Sequence, residues 1–212
     1  MKVGILSESD ADEASIKILA EAVLGHPLEI IEPVRVRTRG WAAVITNLPS
    51  YYKALHWHPD ADGLIAVLDS DETPTHDRSH EEAGFIHVDC RFCMIQRLAF
   101  KLGNEVAPRS QGALKTAFGL AVPAIEAWYQ CGLDVHCTEP HFMRQPAIAL
   151  TQIRRELKRK CYGAVSVPRP VLKTKAIEYS ARLSGTLDLL ERNFPNGFGA
   201  LARSLRAWKS SP

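Results

Sequence analysis

Acidic residues crowd the ends of two apolar runs in this sequence. Glu8 follows the run VGIL (3–6), and Asp69 and Asp71 close the run LIAVLDSD (64–71). Such runs are typical of buried strands, and ligands of an open parallel sheet bind beyond the carboxyl ends of its strands. Because residues two apart in an extended segment point the same way, we expect Asp69 and Asp71 to present their carboxylates together.

Crowded carboxylates repel one another unless a cation neutralises them. Hard oxygen ligands of this kind suit Mg²⁺ or Mn²⁺. Asp12 lies four residues after Glu8 and could join the group if the two strands are neighbours. One or two such ions can position a water and stabilise the charge that develops on a phosphodiester. The residues therefore predict a metal site for phosphoryl chemistry.

A simpler interpretation of the same acids needs no ion. Acids at the start of a helix cap free N–H groups and complement the helix dipole, which would account for Asp10, Asp12 and Glu13. An Asp after a strand is often a turn residue. The metal site is favoured because Glu8 and the DSD motif at 69–71 end two separate apolar strands.

These residues resemble a TOPRIM domain, which is shared by topoisomerases, primases and OLD-type nucleases. In that family a Glu ends the first strand and a DxD motif ends the third, and Glu8 and the DSD motif at 69–71 match this order. The stretch ESDADE (8–13) is similar to the E-G-x-[ST]-[DE]-E motif of small TOPRIM proteins related to the OLD nucleases. It departs from that motif at Ser9, which replaces Gly, and at Ala11, which replaces Ser or Thr.

A later stretch carries the same resemblance. PAIEAW (123–128) is similar to the P-x-x-E-A-W helix of these small proteins and makes Glu126 the candidate for the further acid that OLD-type nucleases use. The tail NFPNGFGAL (193–201) is also similar. By these motifs the resemblance covers about residues 2–134.

The resemblance implies a Mg²⁺- or Mn²⁺-dependent nuclease that hydrolyses phosphodiester bonds of DNA or RNA. Glu8, Asp69 and Asp71 would be the catalytic metal ligands, and Asp12 and Glu126 the supporting ligands. No side chain is an obvious nucleophile, so water would attack. Small TOPRIM proteins of antiphage and mobile-element loci are often paired with an ABC- or AAA-type ATPase. This chain lacks a GxxxxGK[ST] motif, so a partner would have to supply any ATP hydrolysis.

Two other functions fit the same residues. A non-catalytic TOPRIM-like module would bind an ATPase partner or nucleic acid and keep the acids for structure, which the replacements at Ser9 and Ala11 favour. Another phosphoryl-transfer enzyme on a doubly wound sheet, such as a phosphatase, would carry phosphate covalently on Asp69. Retention of phosphate on that residue would distinguish the phosphatase from the nuclease.

Basic residues are concentrated after residue 153 and could contact a phosphate backbone. The predicted nucleic-acid-binding residues are Arg154, Arg155, Lys158, Arg159 and Lys160. A solvated helix face is the alternative. Arg35, Arg37 and Arg39 alternate along a predicted strand over 28–38, where they could line the same cleft or protect a sheet edge.

Histidines and cysteines form a third group. His87, Cys90 and Cys93 form an H-x₂-C-x₂-C pattern. The later residues Cys131, His136 and Cys137 could complete a zinc site with them. The alternative is core packing, since 87, 90 and 93 fall near one face of a helix predicted over 81–103. His76 and His80 could contact a metal-bound phosphate or water, or be solvated loop residues.

The order of predicted strands and helices indicates an α/β protein. Strands alternate with helices up to about residue 130, which predicts a TOPRIM-like (Rossmann-like), mainly parallel sheet with helices on both faces. We expect a TOPRIM-like domain over 1–134 and a mostly helical C-terminal extension packed on it over 135–212. Within the extension, 167–175 is predicted as a basic loop. A helix over 41–57 is predicted to break near Pro49.

Composition and net charge limit the classes of protein and the cellular compartments that fit this sequence. The 212 residues carry a net charge of only +2, so global charge does not indicate nucleic acid. No apolar run is long enough to cross a bilayer, and acids follow VGIL at once, unlike a secretory signal. The five cysteines are an odd number and do not suggest a disulfide framework. We therefore expect a reduced, cytoplasmic protein.

Overall fold

The computed structural model describes residues 1–33 and 40–209. Its strands form one parallel sheet in the order β2-β1-β3-β4. The strands are β1 (Lys2–Leu6), β2 (Glu29–Ile30), β3 (Gly63–Asp69) and β4 (Lys115–Ala121). The helices are α1 (Asp10–Leu24), α2 (Gly40–Trp57), α3 (Arg78–Glu82), α4 (Arg91–Glu105), α5 (Ile125–Tyr129), α6 (Glu139–Met143), α7 (Ala147–Tyr162), α8 (Arg169–Ser184), α9 (Leu187–Asn193) and α10 (Phe198–Ala207).

The three long strands form a sheet that is buried on both sides. They are nearly continuous apolar runs, as expected of parallel strands covered by helices. Leu6 pairs with Ala66, so β1 ends beside the middle of β3 and its following loop reaches the end of β3. The predicted α/β class and parallel sheet are confirmed, and the arrangement is compatible with a Rossmann-like fold.

Helices cover both faces of the sheet, and two glycines allow them to approach closely. A Cβ atom on Gly4 would meet Leu55 of α2, and one on Gly119 would lie 3.3 Å from Leu201 of α10. Gly4 pairs with Leu64 of β3, and Gly119 pairs with Val67. Because these two β3 residues are three apart, the two glycines face opposite sides of the sheet. Thus α2 covers one face and α10 the other.

The C-terminal helices pack directly on the strand-and-helix part of the chain. The buried hydroxyls of Ser15 in α1 and Ser180 in α8 lie 2.5 Å apart. The rings of Trp128 and Phe198 meet edge to face at 5.4 Å between centroids. A single apolar core therefore includes side chains from Val3 to Trp208. No helix in the described ranges is long and apolar enough to cross a membrane.

The helix predicted over 81–103 is different in the structure. Gly84 and Phe85 have φ values of +76° and +60°, and this left-handed turn ends α3. The chain then stays non-helical until Arg91, where α4 begins. A pattern of apolar spacing alone did not reveal this turn.

Other element boundaries also differ from prediction. The predicted basic loop at 167–175 is largely the first part of α8, because Pro170 in its first turn suits a helix start. Helix α2 runs through Pro49 without the predicted break, since Val44 and Tyr51 on either side are buried. Of the strand predicted over 28–38, β2 is the observed part. Arg35, Arg37 and Arg39 lie outside the described residues.

Candidate functional site

Acidic side chains converge where β1 and β3 end. Glu8, Asp12, Asp69 and Glu126 line one cavity of about 230 Å³, which we call the acidic pocket. Arg154 and Lys158 of α7 line the same cavity. The pocket lies beyond the carboxyl ends of neighbouring parallel strands, where the sheet topology predicts a ligand. It therefore unites four of the five predicted metal ligands.

Asp69 connects the strand ends to the start of α5. Its backbone N–H donates a hydrogen bond to Glu8 Oε1 at 3.0 Å. Its own carboxylate oxygen Oδ1 accepts one from the Ile125 N–H at 2.9 Å. These bonds place Glu8 and Asp69 side by side and bring the first turn of α5, which contains Glu126, to the pocket.

Ser9 caps α1 and orients Asp12. The Ser9 hydroxyl oxygen accepts a hydrogen bond from the Asp12 N–H at 3.2 Å and donates one to Asp12 Oδ2 at 2.8 Å. This is the usual role of a serine at a helix start. Asp10 is exposed instead. The helix-start interpretation therefore describes Ser9 and Asp10, whereas Asp12 also faces the pocket.

Glu126 is the most deeply buried acid of the pocket. Its side chain belongs to a residue that is 5% exposed, and Oε2 has no hydrogen-bond partner among the described residues. Burial raises the pKa of Glu126, which the nearby positive charge of Lys158 partly opposes. A buried acceptor without a partner is unfavourable. This oxygen therefore marks a place where a proton or a cation would be stabilised.

The other acids of the pocket also bind protons more tightly than usual. Burial raises the pKa of Asp12 to about 7, and the Glu126 carboxylate adds to the effect. Burial, and then the charge of Glu8, raises the pKa of Asp69 well above its usual value. Burial likewise raises the pKa of Glu8. Because a bound cation favours the ionised form of each acid, it would displace these protons.

Asp71 does not point with Asp69, contrary to prediction. Its φ of +51° leaves the extended conformation on which that prediction depended. Its carboxylate accepts a hydrogen bond from Arg91 Nη1 at 2.6 Å and forms an ion pair with Arg154. Arg91 Nη1 also donates to the Asp69 carbonyl oxygen at 2.6 Å. Asp71 thus holds two arginines beside the pocket, and sequence reasoning had missed Arg91.

The predicted nucleic-acid-binding residues of α7 are divided between surfaces. Arg154 and Lys158, four residues apart on the helix, line the acidic pocket. Lys160 pairs with Asp134, at 2.6 Å between Nζ and Oδ2. Arg155 and Arg159 are exposed. Two of the five residues therefore line the acidic pocket.

Histidines and cysteines form a second cluster, with a composition different from the predicted one. The histidine–cysteine cluster consists of His76, His80, Cys90 and Cys93. All four are buried, so the interpretation of both histidines as solvated loop residues was wrong. The spacing H-x₃-H-x₉-C-x₂-C is the sequence signal that could have identified them.

The remaining candidates for that zinc site lie elsewhere. His87 precedes α4, so it does not share a helix face with the two cysteines, and it stacks on His80 at 3.7 Å between ring centroids. His136 and Cys137 line a separate cavity near Lys160. Cys131 accepts a hydrogen bond from Asn193. The combined ligand set predicted from sequence was therefore wrong.

Comparison of the chain with known protein families, curated proteins and solved structures finds no match.

Proposed function

We propose that the protein is a metal-dependent nuclease that hydrolyses phosphodiester bonds of DNA or RNA. The observation that carries this proposal is the acidic pocket, in which one buried and three half-buried carboxylates meet two cationic side chains beyond the strand ends. The resemblance to TOPRIM domains supports it, because Glu8 follows β1 and Asp69 ends the neighbouring strand β3.

The donor set of the pocket fits Mg²⁺ or Mn²⁺. All four acids offer hard oxygen atoms, and Glu126 Oε2 lacks a hydrogen-bond partner in the described part of the chain. In the described part of the chain these carboxylates do not form a close group like that of the histidine–cysteine cluster. Mg²⁺ typically keeps several waters and uses one or two carboxylates. A cavity of about 230 Å³ leaves room for water and for a phosphate group.

The residues of the pocket then divide into two roles. Glu8, Asp12, Asp69 and Glu126 would hold the cation, which when bound would supply an activated water and neutralise charge on the phosphodiester. Arg154 and Lys158 bind phosphate oxygens at the wall of the cavity. We also assign proton transfer to Glu8, which lines the pocket. Asp71 was predicted as a ligand from sequence; in its ion-paired arrangement it instead positions Arg154.

A cleavage assay tests the proposal. Single-stranded DNA, duplex DNA and RNA would each be incubated with Mg²⁺, Mn²⁺ or EDTA. We expect cleavage that depends on the metal and falls about 10³-fold in Asp69→Asn and in Glu126→Gln, since loss of a metal ligand costs several kcal/mol of transition-state stabilisation. Zinc content would be recorded in parallel, so that damage to the histidine–cysteine cluster is recognised.

Asp10→Asn is the matched control for these substitutions. Asp10 is exposed at the start of α1, so the substitution removes one carboxylate charge without changing the pocket. It should retain full activity. If the folded wild-type protein cleaves none of the substrates, or if both pocket variants cleave as well as the wild type, a nuclease centre in this pocket is excluded.

A non-catalytic module is the second candidate function. It is favoured by the positive charges of Arg154 and Lys158, which already oppose the raised pKa of Glu126 without a metal. Such a module would bind nucleic acid or an ABC- or AAA-type ATPase partner. It predicts unchanged nucleic-acid binding in Glu126→Gln and no metal-dependent cleavage by any variant. Binding and cleavage measured on the same variant therefore distinguish the two functions.

A further inference from the structure

The histidine–cysteine cluster brings the side chains of two imidazoles and two thiols into one buried site. One potential ligand atom from each residue lies within 4.8 Å of every other. No other set of three or more such atoms lies this close together in the residues that the structure describes. His76, Cys90 and Cys93 are at most 1% exposed, and His80 is 7% exposed.

Three of the six separations between these atoms are close to those of tetrahedral coordination. Cys93 Sγ lies 3.5 Å from His80 Nδ1 and 3.7 Å from His76 Nδ1, and Cys90 Sγ lies 3.9 Å from His76 Nδ1. Zinc–sulfur and zinc–nitrogen bonds at a tetrahedral angle place a sulfur and a nitrogen about 3.6 Å apart. The four side chains are therefore spaced for one ion at their centre.

Local structure explains how a short segment provides all four ligands. The turn at Gly84 and Phe85 reverses the chain after α3, and the Phe85 N–H bonds the His80 carbonyl oxygen at 2.7 Å. Cys90 then occupies the N-cap position of α4 without a side-chain capping hydrogen bond, and Cys93 lies in the first turn. The two cysteines thus form a C-x₂-C pair at a helix start, opposite the two histidines.

Glu81 fixes the orientation of His76. His76 Nε2 lies 3.2 Å from Glu81 Oε1, while its other nitrogen, Nδ1, faces both thiols. A carboxylate on the outer nitrogen of a ligating imidazole is the usual second contact in metal sites, where it sets the tautomer. Phe92 packs against the His76 ring at 4.3 Å between centroids and shields it from water.

Both thiols are available to a metal ion. A zinc ion binds cysteine as the thiolate, whose negative charge it neutralises. The cysteines in the described residues are free, and these two are held by the same helix turn.

We propose that His76, His80, Cys90 and Cys93 bind one structural zinc ion. Two nitrogens and two sulfurs suit zinc rather than Mg²⁺ or Mn²⁺. Because all four positions come from the protein, the ion would be closed to substrate. It would join α3 and the intervening turn to the start of α4. This site does not depend on the proposed nuclease function.

Metal analysis of the full chain tests the proposal. Protein purified without chelators would be measured by elemental analysis, then stripped and refolded with Co²⁺. We expect one zinc per chain and, with Co²⁺, the intense visible bands and thiolate charge-transfer absorption of a tetrahedral site. Cys93→Ser should lose the zinc, and His80→Asn should bind it at least tenfold more weakly, because loss of even an outer partner of a metal ligand typically costs that much.

Two matched variants keep the test decisive if Cys93→Ser fails to fold. Cys137→Ser removes another buried thiol and should retain one zinc. Glu126→Gln alters the acidic pocket and should also retain it. The proposal is overturned if folded wild-type protein takes up neither zinc nor Co²⁺ after refolding. It is equally overturned if zinc survives in His80→Asn with unchanged affinity but is lost in Cys137→Ser or Glu126→Gln.

Discussion

In the histidine–cysteine cluster the ligand atoms already stand within 4.8 Å of one another, whereas the carboxylates of the acidic pocket surround a cavity of about 230 Å³. The first arrangement leaves no coordination position for a substrate. The second leaves space for water and phosphate. Closed sites of soft ligands typically support structure, and open sites of hard ligands support chemistry. The spacing of ligands therefore separates the two proposed roles.

The two regions also differ in how their charges are balanced. Glu81 contacts the outer nitrogen of His76, and that ring otherwise neighbours His80, two phenylalanines and the two thiols. The acidic pocket instead has Arg154 and Lys158 in its wall. A cation could therefore leave the acidic pocket at smaller cost, because these residues would still oppose the negative charge.

Removing each metal in turn should show the largest difference between the two sites. Loss of zinc is expected to lower the free energy of unfolding by on the order of 5 kcal/mol, since metal binding by buried thiolates contributes directly to folding. Removing Mg²⁺ present at ten times its Kd should cost only about 1.4 kcal/mol. Urea unfolding with a zinc-selective chelator, or without Mg²⁺, measures both. A larger effect of Mg²⁺ would reverse the assignment of roles.

Glu139 offers a buried acid that belongs to neither site. Burial raises its pKa to about 7, although its carboxylate accepts a hydrogen bond from the Asn196 N–H at 2.7 Å. Between pH 4.5 and 7 the folded protein therefore binds more protons than the unfolded chain, and its stability falls as pH rises. The stability that this group contributes below pH 4.5, roughly 3 kcal/mol, is lost by about pH 8.

Glu139→Gln should reduce the decline in stability between these pH values by roughly 3 kcal/mol and leave the part that comes from the acidic pocket. Urea unfolding at pH 5 and pH 8 would measure it, with wild-type protein under the same metal conditions. Zinc content and Mg²⁺ affinity should not change, because the substitution lies outside both sites. A change in either metal would show that Glu139 is coupled to one of them.

The cations of α7 can be compared by substitution of one charge at a time. Lys158→Met should weaken binding of nucleic acid about tenfold, because it removes a charged contact in the pocket. Arg155→Met removes the same charge from an exposed position and should have a smaller effect. Binding would be measured with Ca²⁺ in place of Mg²⁺. Equal effects of the two substitutions would indicate a general surface attraction rather than the pocket.

The smallest effect is expected at Ser9. Ser9→Gly keeps a residue that caps helices well, so it should cost only a few tenths of a kcal/mol, against about 1 kcal/mol for Ser9→Ala. Thermal unfolding would measure both. Cleavage should be unchanged, since the Asp12 carboxylate remains. A large loss of cleavage in Ser9→Gly would mean that the Ser9 hydroxyl positions Asp12 through their mutual hydrogen bonds.

The strands and the acidic pocket could be predicted largely from sequence. Buried parallel strands are continuous apolar runs, and their carboxyl ends meet at one edge of the sheet, so Glu8 and Asp69 were placed correctly together. The orientation of Asp71 could not be predicted, because alternation assumes extended backbone and its φ is +51°. Its partners Arg91 and Arg154 come from distant helices, which spacing along the chain does not reveal.

The histidine–cysteine cluster was harder to predict for a related reason. The spacing of His87, Cys90 and Cys93 would put all three near one face of a helix. The spacing alone does not show whether that helix includes His87. The left-handed turn at Gly84 and Phe85 separates His87 from α4. It also brings the upstream residues His76 and His80 to the cysteines. Which histidines meet the thiols therefore depends on one local reversal of the chain.

Arg91 lies between Cys90 and Cys93 in the sequence, while its guanidinium bonds the Asp69 carbonyl oxygen and the Asp71 carboxylate. Arg91 thus connects the helix start that carries both cysteines of the histidine–cysteine cluster to the strand end beside the acidic pocket. If zinc changes the affinity for Mg²⁺ through this contact, thermodynamic linkage requires Mg²⁺ to change the affinity for zinc by the same factor. Competition titrations of each metal in the presence of the other would then give a single allosteric constant for the molecule.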